Sequence, residues 1–130
     1  MRRLALGLAL AGAAVGAAPA AGGPLDVRPT PVGVAEREFR ITPYRRSVVP
    51  GPVKLNVRNL GEDSHDLVVI SPHGNRVAGT GEIVPGAQAV LQVKLRKAGV
   101  YRLVCTRADH AARGMRTRLV VQRAPLSSGG

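Results

Sequence analysis

Near the end of the chain Cys105, His110 and Met115 follow one another at equal spacing, C-x4-H-x4-M, within YRLVCTRADHAARGMRTRLVV. A thiol, an imidazole and a thioether are soft or borderline metal donors, and one loop carries all three. The flanking residues alternate. Tyr101, Leu103 and Cys105 take one parity and Val100, Arg102 and Val104 the other, so a strand leads into the loop with the thiol facing the core. Beyond the loop Met115, Leu119 and Val121 share a parity opposed by Arg116 and Arg118, which turns the thioether inward too.

A fourth donor has to come from elsewhere, and His65 and His73 are the remaining histidines. His65 ends the polar loop NLGEDSH and immediately precedes the apolar run LVVI, whereas His73 sits in a Pro-His-Gly turn and is expected at the surface. His65 is therefore the favoured fourth donor. Two imidazoles and a thiolate in a trigonal plane, with a thioether weakly on the axis, suit copper; zinc sites seldom recruit methionine. Taken singly, Cys105 and Met115 also read as ordinary core residues, but one metal explains all four positions.

The rest of the chain reads as the frame for these residues. In VAEREFRI, Phe39 and Ile41 share one face and Glu36, Glu38 and Arg40 the other, which predicts one half-exposed strand with both glutamates in solvent. RRSVV is a short edge segment before the turn Pro50-Gly51-Pro52, and Val53, Leu55 and Val57 mark a clear strand. LVVI, apolar on both faces, predicts a central covered strand. The stretch from Val77 to Val84 is ambiguous, and Ala89, Leu91, Val93 and Leu95 alternate with polar residues as a further strand. About seven short strands punctuated by Gly, Pro and Asn turns, with no amphipathic helix, predict an all-β Greek-key sandwich or barrel.

The chain has 130 residues, room for one core. MRR followed by an apolar run to Ala18 and the small-residue site Ala18-Pro19-Ala20 reads as a signal peptide over residues 1–20. Residues 21–33 are expected to be a Pro- and Gly-rich linker, 34–122 the domain and 123–130 a disordered tail. Export to the periplasm or the exterior agrees with the single cysteine, which can form no internal disulfide. The net charge of +11 favours acidic partners. Only one Phe, two Tyr and no Trp are present, too few stacking platforms for a single-strand nucleic-acid binder, and the apolar run is too short to span a membrane. No phosphate loop, Ser-His-Asp order or paired-carboxylate site is visible.

On NLGEDSHDLVV, GVYRLVCTRADH and HAARGM the chain resembles the cupredoxins, the small blue-copper domains, and its C-x4-H-x4-M spacing looks most like the rusticyanin type. The resemblance spans about Val34 to Gln122. It implies that His65, Cys105 and His110 bind one copper ion, with Met115 as axial ligand. It departs from the family at two places: Asp66 stands where many members have Asn after the first histidine, and Thr117 where a Gly often follows the methionine. Asp66 has no N–H to donate, so it either accepts from backbone amides of the 105–110 loop or that contact is replaced.

The resemblance implies a non-enzymatic one-electron carrier; the alternative is a copper-binding or copper-delivery protein with no carrier role. The expected partner is a redox protein with an acidic docking face, such as a c-type cytochrome or an oxidase. That face would meet His110 at the exposed edge of the site, among Arg107, Arg113 and Arg116. No nucleic acid and no membrane span are expected, and the protein is expected to be a monomer.

Overall fold

The structure, a computed structural model, describes residues 12–14, 16 and 28–123. Most of the leader with its cleavage site, most of the linker and the tail after residue 123 lie outside the described residues. Among those described, no helix is long and apolar enough to cross a membrane.

Among the described residues nine strands form two sheets packed face to face, an all-β sandwich. The first sheet runs in the order β2 (Arg40–Pro43), β1 (Thr30–Arg37), β4 (Gly51–Asn59), β7 (Gln88–Leu95). The second runs β3 (Ser47–Val48), β9 (Arg116–Val121), β8 (Gly99–Val104), β5 (Val68–Ile70), β6 (Arg76–Gly79). Val32, Val34, Val53, Leu55 and Val57 from the first sheet meet Leu67, Val69, Leu103, Leu119 and Val121 from the second. Each set has period-2 spacing, so β-branched and leucine side chains alternate into one shared core. In β5, central in its sheet, Val68 and Val69 are buried on opposite faces, as an apolar run requires.

The beginning of the domain differs from expectation. β1 starts at Thr30, not Val34, so the last residues assigned to the linker pair in parallel with β4. VAEREFRI is not one strand: Glu38 and Phe39 form a two-residue turn, and β1 and β2 are a hairpin in which Glu36 lies opposite Ile41. The turn switches the parity. Glu36 therefore shares the inward face of Val32 and Val34 and is buried instead of solvated. Within Val77–Val84 a strand forms only up to Gly79, and Ile83 makes an isolated antiparallel bridge to His65.

Candidate metal centre

β8 ends at Val104, and its alternation carries Cys105 inward, fully buried. Residues 106–114 then fold as successive turns before β9 begins at Arg116. Gly114 takes φ +119°, a left-handed region that glycine enters without strain. The loop is closed at its base: the amide of Cys105 donates to the carbonyl of Met115 at 3.1 Å and the amide of Met115 donates to that of His110 at 3.0 Å. Those two bonds tie the backbones of Cys105, His110 and the buried Met115 together.

His65 arrives from the other side. Its backbone exchanges two hydrogen bonds with Ile83, at 3.1 and 2.7 Å. The loop before it is pinned by Asn59, fully buried, whose amide nitrogen donates to the carbonyls of Asp63 (2.7 Å) and Ile83 (2.8 Å). Its amide oxygen accepts from Gly61 N at 2.9 Å. A buried side chain that satisfies three backbone groups holds the loop in one conformation.

The structure brings together His65, Cys105 and His110, with one donor atom from each lying within 4.8 Å of the others. His65 Nδ1 and His110 Nδ1 are 3.2 Å apart, and Cys105 Sγ is 3.6 Å from His110 Nδ1. Both imidazoles thus direct Nδ1 toward the thiol. Met115 is fully buried beside them in the loop, and His73 is exposed, away from the cluster. Two imidazole nitrogens and a thiol fit one copper ion, and His110, 7% exposed, is the edge nearest solvent.

Supporting contacts complete the shell. Asp66 accepts from the amide of Thr106 at 2.6 Å and from its hydroxyl, so the carboxylate in the family's Asn position ties the first histidine's segment to the ligand loop as an acceptor. Burial pushes the Cys105 thiol up from its usual range, against the pull of nearby backbone amides. A raised thiol favours its protonated form, so a metal bound there would have to displace that proton.

The two glutamates read as solvated are neither idle nor alike. Glu38 Oε1 lies 3.0 Å from His65 Nε2 and accepts from the amides of Glu62 (2.9 Å) and Asp63 (2.8 Å). Those amides, Asp63's foremost, and the imidazole hold its carboxyl below the ordinary carboxylate range. Glu36 is buried with both oxygens lacking a partner, and desolvation, with the charge of Asp66 second, pushes it up to about 8. At the hairpin tip Phe39 packs edge-on to the His110 ring with centroids 5.2 Å apart, and the Arg113 guanidinium lies 4.0 Å over Phe39. Local sequence held no signal for these contacts, because Glu38 and His65 meet only through the packing of the sheets. Asn59, a polar residue ending an apolar-patterned strand, is the one supporting residue that the sequence could have flagged.

Of the expected arginine rim, Arg107 does line the same depression as His110, while Arg116 does not. Arg107 pairs with Glu82 at 3.1 Å, and Arg113 is engaged with Phe39 and lies 4.0 Å from Asp109. Arg116 instead joins Arg46, Arg102 and Arg118 around a depression of about 700 Å³ on the outer flank of β8 and β9.

No family model and no curated protein sequence matches the chain. Solved structures do. Auracyanin from Roseiflexus castenholzii superposes with TM-score 0.62 at 17% identity, over 72% of this chain and 98% of that one. Auracyanin A, a "blue" copper protein from Chloroflexus aurantiacus, gives 0.60 at 15% identity, over 73% and 100%. The copper-containing nitrite reductase of Thermus scotoductus gives 0.56 at 18% identity, but the match spans only 31% of that chain. Whole single-domain proteins are matched end to end and the larger enzyme only in part, so the architecture is that of the small domains. The chain has the cupredoxin fold.

Proposed function

We propose that the protein is a one-electron carrier with a single type 1 copper ion held by His65, Cys105 and His110 and with Met115 on the axis. The observation that carries this reading is the convergence of two Nδ1 atoms and one thiol, from the β4–β5 connection and the β8–β9 loop, inside a closed sandwich. Bound there, copper supplies a one-electron couple. The chain's own residues fix the geometry: the His65–Ile83 bridge, the Asn59 clamp and the Cys105–Met115 bond hold the donors before any ion arrives. Little has to reorganise when an electron moves. The near-closure of the site, with His110 barely exposed, supports a resident ion over one passed on to another protein. The likeness to auracyanins, which are matched over 98% and 100% of their own length and 72% and 73% of this chain, supports a carrier over an enzyme.

Copper titration of the metal-free protein tests this reading. An intense blue absorption band with reversible voltammetry is expected; a colourless complex that surrenders copper rapidly to a chelator would establish delivery instead. Affinity should weaken as pH falls, because the raised thiol has to lose its proton.

The proposed partner is a redox protein with an acidic face, a c-type cytochrome or an oxidase being the chemical types that fit, and the carrier acts as a monomer. Arg46, Arg102, Arg116 and Arg118, which have no acidic partner among the described residues, support docking that extends onto the flank of β8 and β9. An exported location, periplasmic or extracellular, is supported by the basic start and apolar run of residues 1–20 and is tested by fractionating cells that express the full chain.

A further inference from the structure

The tip of the β1–β2 hairpin places a carboxylate behind one metal ligand. His65 is fully buried and its ring has two polar ends: Nδ1 faces Cys105 and His110, and Nε2 faces Glu38 Oε1 at 3.0 Å. A neutral imidazole carries its proton on one nitrogen only. A carboxylate at Nε2 accepts that proton's hydrogen bond and leaves the lone pair on Nδ1, the end turned toward the metal site.

Glu38 is built into this position. Its Oε1 also receives the amides of Glu62 and Asp63, so the loop before His65 wraps the carboxylate. Gly61 leaves room for it, since a Cβ at that position would collide with the carboxylate. Two backbone donors and one imidazole nitrogen converge on a single carboxyl oxygen, the surroundings of a carboxylate anion. The far side of His65 therefore carries a full negative charge, in contact with a ligand that has no solvent around it.

We infer that Glu38 is a positioning residue that selects the metal-binding tautomer of His65 and, through its charge, lowers the reduction potential of the site. The potential half of this inference rests on the copper reading; the tautomer half does not. Were copper bound, a fixed anion behind the ligand would favour the more positive Cu(II) over Cu(I) by simple Coulomb attraction. Removing the charge while keeping an acceptor oxygen should therefore raise the potential.

Three substitutions separate the roles. Glu38→Gln keeps the acceptor and removes the charge, Glu38→Ala removes both, and Glu62→Gln removes an equal charge from the neighbouring exposed side chain. In Glu38→Gln the preference for Cu(II) over Cu(I) should fall by about tenfold, read in voltammetry as a rise of about 59 mV for a one-electron couple. Glu62→Gln should move it far less. A potential in Glu38→Gln equal to the wild type, or no higher than in Glu62→Gln, overturns the electrostatic role. In metal-free protein, imidazole nitrogen NMR should find His65 protonated at Nε2 in the wild type and in Glu38→Gln, and a mixture of tautomers in Glu38→Ala. A wild-type His65 protonated at Nδ1, or a tautomer unchanged in Glu38→Ala, overturns the positioning role, and this measurement stands even if the protein binds no copper.

Discussion

The five-stranded sheet delivers Cys105 and Met115 at facing ends of β8 and β9, while the four-stranded sheet delivers no soft donor, yet its hairpin tip touches both histidines and its β4 ends in the residue that clamps the His65 loop. The five-stranded sheet carries the loop with Cys105, His110 and Met115, His65 comes from the connection between the two sheets, and the four-stranded sheet fixes direction and charge. A site of this kind has its chemistry written in one part of the chain and its tuning in another, and the two are joined only by the sandwich. Substitutions in the two regions should accordingly fail differently: on the donor side metal binding is lost, and on the supporting side stability, tautomer or potential changes while the donors survive.

The largest effect belongs to the donor side. Cys105→Ser replaces the thiol with a hard, neutral hydroxyl. Altering an outer partner of a ligand costs about 10 to 100-fold in affinity, so loss of the ligand itself should cost more than about 100-fold and abolish the blue band. A copper titration that showed unchanged affinity would remove Cys105 from the donor set and erase the division between the sheets. Folding should be little affected, because serine is nearly isosteric in a site already lined by polar atoms.

On the supporting side the largest effect is expected at Asn59. Asn59→Ala removes three hydrogen bonds, a buried one to the Ile83 carbonyl, which keeps the His65 amide as donor, and part-buried ones to the Asp63 carbonyl and the Gly61 amide, which should cost about 3 kcal/mol in chemical denaturation of the metal-free protein. If stability fell by less than a third of that while copper affinity collapsed, Asn59 would belong with the donors and the comparison would need redrawing.

The same division explains how much of the molecule was legible in its sequence. Cys105, His110 and Met115 lie on one loop with flanking alternation, so their spacing was readable, and His65, which precedes an apolar run, is the histidine that the structure brings to Cys105 and His110. Glu36 and Glu38 were misread because a two-residue turn inside VAEREFRI inverts parity, and nothing in that run marks the turn: it has no Gly, Asn or Pro. Which face of β1 is inward is decided by its pairing with β4, a long-range fact. Asp66 lay between these cases: its limits as an acceptor were readable, and the geometry selected contact with Thr106.

Glu36 gives a pH test of the supporting sheet. Its carboxyl has an ordinary value near 4.5 when unfolded and about 8 in the fold, so between those values the native state binds the extra proton. Stability is therefore greatest at the acid end of that window and declines as pH rises toward 8, with a slope of at most about 1.4 kcal/mol per pH unit. Glu36→Gln should remove the slope, and the variant should be the more stable protein at pH 8. A wild-type stability that rose across this range, after the same measurement on Glu36→Gln, would show that Glu36 stays charged with a partner in solution.

The smallest expected effect lies on the outer face of the donor sheet, where Arg102 stands directly opposite Arg118 across β8 and β9. Like charges in that relation repel, so Arg102→Gln should stabilise the fold by about 0.5 kcal/mol. If the flank meets an acidic partner, the same change should slow electron transfer at low salt and lose its effect as salt rises. Lys94→Gln, an exposed charge of equal sign on β7 of the other sheet, supplies the comparison. Equal slowing by the two substitutions would mean that the partner senses only net charge; slowing confined to Arg102→Gln would make the sheet that carries the donors also the sheet that carries the docking face.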